Sequence, residues 1–156
     1  MRINQDFVSP CGLYCGVCGV YYATRDKNNE FMEKLIGVYE SKMPGLKLTI
    51  DDLQCKGCLS DTVSVFCRSC GIKSCTKEKG YEGCHQCDDY PCKFIDEFPM
   101  PVGKKVISRV IPYWREHGTE KWIRDEEARY VCPECDHILF RGAKRCNSCK
   151  TPVDVD

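Results

Sequence analysis

The sequence has few histidines and no long apolar run, and both shortages narrow what the chain can be. Its three histidines, at positions 85, 117 and 137, are widely separated. A catalytic zinc site keeps an open position and commonly uses histidine or carboxylate ligands, so a hydrolytic zinc enzyme is disfavoured. No apolar run approaches the ~20 residues of a membrane-spanning helix, and the first residues lack the apolar stretch of a signal peptide. We therefore expect a cytoplasmic protein with no membrane segment.

Catalytic motifs and apolar residues are also scarce. The sequence shows no Ser-His-Asp arrangement, phosphate-binding loop or nucleotide fingerprint, so an enzymatic function is disfavoured. Leu, Ile, Val and Phe together make up 34 of the 156 residues, a share close to the range where packing alone fails to hold a fold. Part of the stability must therefore come from something other than an apolar core.

Cysteine is the residue that the sequence has in excess, with 15 copies. In a reducing compartment, dense Cys-x2-Cys spacing indicates metal binding or redox chemistry rather than disulfides. The odd number of cysteines also argues against a complete disulfide framework. Metal ions held by thiolates are the expected source of the missing stability.

The clearest metal motif lies near the C-terminus, where two Cys-x2-Cys pairs are separated by ten residues. This spacing is typical of a zinc ribbon, in which each pair turns the chain sharply enough for two sulfurs to reach one ion. An iron site of similar geometry is the main competitor. The predicted ligands are Cys132, Cys135, Cys146 and Cys149.

Eight further cysteines lie between positions 55 and 92 and would suit two four-thiolate zinc sites. The unit Cys-x2-Cys-x4-Cys that begins at Cys67 recurs 17 residues later at Cys84, which predicts two units of similar local geometry. A sequential arrangement would group the first four and the last four cysteines, and interleaved groupings satisfy the spacing equally well. We expect His85 not to be a ligand, because enough sulfurs are present. The predicted ligands are Cys55, Cys58, Cys67, Cys70, Cys75, Cys84, Cys87 and Cys92.

The N-terminal motif places Cys11, Cys15 and Cys18 at the x3 and x2 spacing that holds three irons of a [4Fe-4S] cluster. The competing interpretation, which we favour, is another zinc knuckle completed by a later cysteine. Radical chemistry is disfavoured, because the chain is too short for the barrel that usually accompanies this spacing. All 15 cysteines are then predicted metal ligands, and we expect three or four zinc ions (Zn²⁺).

Two stretches outside the cysteine clusters have helical character. From Asn28 to Met43 apolar residues recur at helical spacing, and Pro44 with Gly45 follows as a stop signal. Residues 102–130 contain no cysteine and carry scattered apolar side chains. We expect two or three short helices there, with Pro112 and Gly118 as interruptions.

These patterns divide the chain into three parts. We predict a cysteine-rich multi-metal domain at residues 1–100, a helical connector at 101–129 and a four-cysteine zinc ribbon at 130–156. The predicted fold class is a small metal-stabilised α+β protein, in which an irregular cysteine-rich domain with short helices and zinc knuckles precedes the ribbon.

Three cysteine-rich stretches carry a resemblance to a known family. They are CGLYCGVCGVYYAT at 11–24, CKGC at 55–58 and CRSCGIKSCTKEKGYEGCHQCDDYPC at 67–92. They resemble the bacterial and archaeal cysteine-rich family known as domain of unknown function 3795. The resemblance implies metal binding by one compact unit that contains the N-terminal motif and the later cysteines. It implies no reaction and no partner, and the C-terminal ribbon is additional to it.

The preferred function is a zinc-binding interaction module, in which metal ions replace part of the core and exposed loops recognise an unidentified protein partner. The alternative is an iron–sulfur or thiol redox protein that uses the Cys11, Cys15 and Cys18 motif.

Nucleic acid is a less favoured partner. The ribbon has a basic, aromatic-containing patch that is compatible with nucleic-acid binding. However, a zinc ion with four thiolates carries excess negative charge, so nearby cations are expected in any case. The patch consists of Phe140, Arg141, Lys144, Arg145 and Lys150.

Overall fold

The computed structural model describes residues 2–156 and consists largely of helices. The α-helices are α1 (Gly19–Arg25), α2 (Asn29–Lys42), α3 (Ile50–Leu53), α4 (Val65–Arg68), α5 (Gly71–Lys79), α6 (Lys93–Asp96) and α7 (Pro101–Arg129). Three short 3-10 helices cover Gln5–Phe7, Cys15–Val17 and Cys84–Gln86. Within residues 2–156, no helix combines the length and the apolar character that crossing a bilayer requires.

The predicted α+β class is wrong, because the described residues are mostly helical and contain no β-sheet. Extended pairing in residues 2–156 is limited to two isolated bridges in the ribbon, Val131 with Ile138 and Arg145 with Pro152. Each bridge closes a loop around one Cys-x2-Cys turn. The residues between the bridge partners form the Cys-x2-Cys turn and are not available to extend the pairing. The ribbon therefore contains two knuckles and no ladder of paired strands.

The helix predicted between Asn28 and Met43 is confirmed as α2. Asn28 is its N-cap, and the Asn28 side chain accepts a hydrogen bond of 3.0 Å from the Phe31 amide. Met32 is the buried residue of the helix, whereas Val38 is 50% exposed. α2 packs against α1 and α3, and the three helices share a small apolar cluster.

The segment predicted as two or three short helices is α7, which folds back on itself at Gly118. Gly118 has φ 77° and ψ 169°, and it separates two helical arms. The two arms lie antiparallel and side by side. Arg109 on the first arm donates two hydrogen bonds to the Glu126 carboxylate on the second arm, at 2.8 and 2.9 Å. Nearer the turn, the rings of Trp114 and Trp122 stack with their centroids 4.1 Å apart. α7 is therefore a helical hairpin.

The α7 hairpin forms the centre of the main apolar core. The side chains of Ile107, Trp114 and Trp122 are no more than 1% exposed. The same cluster includes Val17 from the cysteine-rich segment and Leu139 from the ribbon. Both cysteine-containing parts of the chain therefore pack against one hairpin.

Candidate metal centres

The four ribbon cysteines lie at the distances that a single zinc ion requires. All four sulfurs lie within 4.8 Å of one another. The Sγ atoms are 3.6 Å apart for Cys132 and Cys149 and 3.7 Å apart for Cys135 and Cys146. A tetrahedral zinc ion with Zn–S bonds of ~2.3 Å would hold its sulfurs roughly 3.8 Å apart. The thiols therefore fit one four-coordinate zinc ion with no open position.

The two halves of the ribbon use the same turn. The Asp136 amide donates to the Cys132 carbonyl at 3.0 Å, and the Lys150 amide donates to the Cys146 carbonyl at 3.1 Å. Asp136 and Lys150 have left-handed φ angles of 58° and 64°, which are uncommon for residues other than glycine. The two isolated bridges also occupy matching positions around the turns. The Cys-x2-Cys spacing thus produces two equivalent knuckles whose sulfurs face one point.

Hydrogen-bond donors favour the thiolate form in the second knuckle. The Thr151 hydroxyl and amide bond to the Cys149 sulfur and lower the pKa of this thiol to about 6. Burial raises the pKa of Cys146, but the amides of Cys149 and Ser148 bond to its sulfur and lower the pKa overall. Because a metal ligand must be deprotonated, these donors favour the binding of an ion.

The N-terminal motif packs against the turn that contains Cys55 and Cys58. The Cys58 amide donates to the Cys15 sulfur at 3.2 Å, a contact across 43 positions of sequence. The Ser9 hydroxyl lies 3.0 Å from the same sulfur. Burial raises the pKa of Cys55, and the nearby Cys18 thiol adds to this shift. The fold therefore brings the N-terminal cysteines together with the first cysteines of the 55–92 segment, as the family resemblance implied.

Cys67, Cys70 and Cys11 border this contact. A hydrogen bond with Cys58 and burial raise the pKa of Cys67. Burial raises the pKa of Cys11 to about 12, and the thiols of Cys70 and Cys15 add to the shift. These cysteines join those of the N-terminal motif and the Cys55–Cys58 turn in one region, which contains Cys11, Cys15, Cys18, Cys55, Cys58, Cys67 and Cys70.

The other four cysteines of the 55–92 segment line a cavity of about 200 Å³, which we call the thiol cavity. They are Cys75, Cys84, Cys87 and Cys92, the second set of the sequential arrangement. Cys70 lies beside the cavity. Burial raises the pKa of Cys84, and the Cys70 thiol adds to this shift. Among the described residues 2–156, the ribbon alone holds three or more Cys, His, Asp or Glu ligand atoms within 4.8 Å of one another. Neither the thiol cavity nor the N-terminal region has the sulfur spacing of the ribbon.

Arg141 packs against the N-terminal cysteine motif, although the sequence analysis placed it in a basic patch of the ribbon. Its amide donates to the Val17 carbonyl at 2.9 Å, and its guanidinium donates to the Tyr14 carbonyl at 2.6 Å. The Nε atom is buried and has no hydrogen-bond partner among the described residues. Burial lowers the pKa of Arg141, but the nearby thiols of Cys18 and Cys15 are among the groups that raise it overall. No sequence signal separates Arg141 from the exposed cations beside it, because only tertiary packing decides which cation faces the thiols.

His85 packs against the α7 core. Its ring stacks on the Trp114 ring with centroids 3.8 Å apart. Burial and the charge of Arg115 lower the pKa of His85 to about 4, so the ring is neutral at physiological pH. The stacking gives His85 a packing role in the fold.

These features define a small, mostly helical, cysteine-rich protein with a four-thiolate site that fits a metal ion. Comparison with protein families matches residues 7–97 to the family described as Protein of unknown function (DUF3795). The match covers more than half of the chain, which therefore belongs to this family, and the predicted resemblance is confirmed. The ribbon lies outside the matched residues. No curated protein and no solved structure matches the chain.

Proposed function

We propose that the chain is a zinc-stabilised interaction protein whose ribbon holds one structural zinc ion. The observation that carries the proposal is the set of four ribbon sulfurs, all within 4.8 Å of one another. Four thiolates around one ion leave no position for water or substrate, so the site is structural rather than catalytic.

The ribbon is placed so that its metal would support the fold. Cys132 and Cys146 are fully buried, and with Leu139 they belong to the core cluster of α7. The Tyr130 hydroxyl donates to the Asp156 carboxylate at 2.6 Å, which connects the start of the ribbon to the end of the chain. A zinc ion at these sulfurs would fix the backbone on both sides of Leu139. Its binding free energy would then contribute to folding.

The ribbon surface suits a protein partner better than a nucleic acid. Ile138 is 59% exposed and Val131 is 37% exposed, and because they pair in a bridge, their side chains lie on the same face. In the predicted basic patch, the Phe140 ring packs on Phe31 with centroids 5.1 Å apart, and the Arg141 guanidinium bonds inside the protein. Neither is free to stack on a base. We place this interaction in the cytoplasm, where thiolate ligands stay reduced.

Zinc content tests the proposal. Cys149→Ser removes one ligand and should lower the zinc content by about one equivalent per chain. Ser148→Ala is the matched control, because the Ser148 amide and not its side chain bonds to the Cys146 sulfur. This control should keep the zinc content of the parent protein. Full zinc content in Cys149→Ser would show that the ribbon is not the zinc site.

A further inference from the structure

The thiol cavity is formed by separate elements that converge on one space. Cys75 lies in α5, Cys84 begins the 3-10 helix Cys84–Gln86, Cys87 follows that helix, and Cys92 is the N-cap of α6. All four line the same cavity of about 200 Å³. The cavity is partly open to solvent, and its four thiols offer one set of sulfur ligands to a metal ion or a metal cluster.

The sulfur spacing distinguishes this cavity from the zinc ribbon of the same chain. In the ribbon, opposite thiols lie 3.6 and 3.7 Å apart and surround a point. Within the described residues, no three thiols of the cavity lie within 4.8 Å of one another. To bind a single ion, the four sulfurs would have to move closer to one another. A cluster of several metal ions binds each thiolate through a different ion, so its sulfur ligands lie farther apart than those of a single ion. The open spacing fits a cluster.

The cavity lining contains two lysines, Lys79 and Lys93, against one carboxylate, Asp89, and this balance suits a ligand with negative charge. Lys79 Nζ lies 3.4 Å from the Cys87 sulfur and 2.8 Å from the Asp89 carboxylate. Lys93 also lines the cavity, beside apolar side chains such as Ile72. A cluster with four thiolate ligands carries net negative charge, which cations and N–H···S bonds stabilise. Lys79 is therefore placed to influence the reduction potential of such a cluster.

We infer that the thiol cavity binds an iron–sulfur cluster, with Cys75, Cys84, Cys87 and Cys92 as its ligands. The donor set is the four-cysteine set that such clusters use. This inference does not rest on the zinc ribbon, since the two sites share no ligand. It also differs from the cluster considered at Cys11, Cys15 and Cys18, because it uses none of those three cysteines.

The first test measures iron, acid-labile sulfide and visible absorption after anaerobic purification and incubation with ferric iron, sulfide and a thiol, which reduces part of the iron as the cluster assembles. The parent protein should bind iron and sulfide and show broad visible absorption. Cys84→Ser and Cys92→Ser should lose most of this signal, whereas Ser148→Ala, at an exposed residue that does not line the cavity, should keep it. A parent protein that stays colourless would overturn the inference. So would a cluster that survives both cavity variants and is lost from Cys11→Ser.

The second test leaves all four cysteines of the cavity in place. It therefore tests for a cluster beside Lys79 even if the cysteine variants do not fold. Lys79→Met removes the cation and the N–H···S bond at Cys87. The cluster should remain, and its reduction potential should shift to a lower value, because the more negative reduced form loses stabilisation. Lys77→Met is the control, since Lys77 is exposed on the same helix and does not line the cavity. Equal potentials for the two variants would show that no cluster lies beside Lys79.

Discussion

Replacing Gly118 with alanine should destabilise the protein, because Gly118 forms the turn of the α7 hairpin. Its φ of 77° and ψ of 169° lie in a region that is essentially restricted to glycine. Holding another residue there costs ~1–3 kcal/mol. No heavy atom lies within 4 Å of the position that an alanine Cβ would occupy. The whole cost is therefore conformational, with no contribution from a steric clash.

Gly37→Ala provides a matched control with the opposite expected sign. Gly37 lies in α2, is exposed, and also has no heavy atom within 4 Å of an added Cβ. Its backbone is helical, so alanine should stabilise the protein by ~0.5–1 kcal/mol. The two substitutions make the same chemical change at open positions, and only the backbone angles differ.

The assay is urea unfolding of the reduced, metal-loaded protein, followed by circular dichroism. The midpoint should fall for Gly118→Ala and rise for Gly37→Ala, with the slope unchanged if only stability changes. If both substitutions raised the midpoint, residues 101–129 would form one continuous helix. The antiparallel hairpin, and the core built on it, would then be wrong.

Two further substitutions test the core around the hairpin. Glu126→Ala removes the carboxylate that accepts both hydrogen bonds of the Arg109 guanidinium and leaves Asp156, 3.9 Å away, as its remaining partner. Since the Arg109 side chain is 34% exposed, solvent reduces the loss to ~1–3 kcal/mol. Glu120→Ala, at an exposed pair on the same arm, should cost less than ~0.5 kcal/mol, and equal losses for the two would refute the buried pair. Gly83→Ala would place a Cβ 2.5 Å from the buried Trp114 ring. The overpacking should lower stability by ~1–3 kcal/mol, and an unchanged urea midpoint would contradict the packing.

The helices were predictable where the information is local. The apolar spacing between Asn28 and Met43 and the stop signal after it predicted α2. The predicted interruption at Gly118 is confirmed. The predicted interruption at Pro112 is wrong, since the first arm of α7 continues through this residue. The neighbours of Pro112, including Val110 and Trp114, are buried. Their packing outweighs the hydrogen bond that proline removes.

In the candidate sites, too, the features set by residues close in sequence were predictable, and those set by tertiary packing were not. The ribbon could be predicted, because each knuckle is made by a few consecutive residues and the two pairs are close in sequence. The ligands of the thiol cavity could not be assigned in advance, since the spacing allowed sequential and interleaved groupings equally well. The contact between Cys15 and Cys58 and the inward position of Arg141 depend on tertiary packing. Neither leaves a pattern in the sequence.

The most direct test of the zinc ribbon is the X-ray absorption fine structure of zinc in the metal-loaded protein. The geometry of Cys132, Cys135, Cys146 and Cys149 predicts a single shell of four sulfurs at ~2.3 Å from zinc. In Cys149→Ser the zinc content should fall by about one equivalent per chain. A shell that contains nitrogen or oxygen ligands in the parent protein would contradict the closed four-thiolate site.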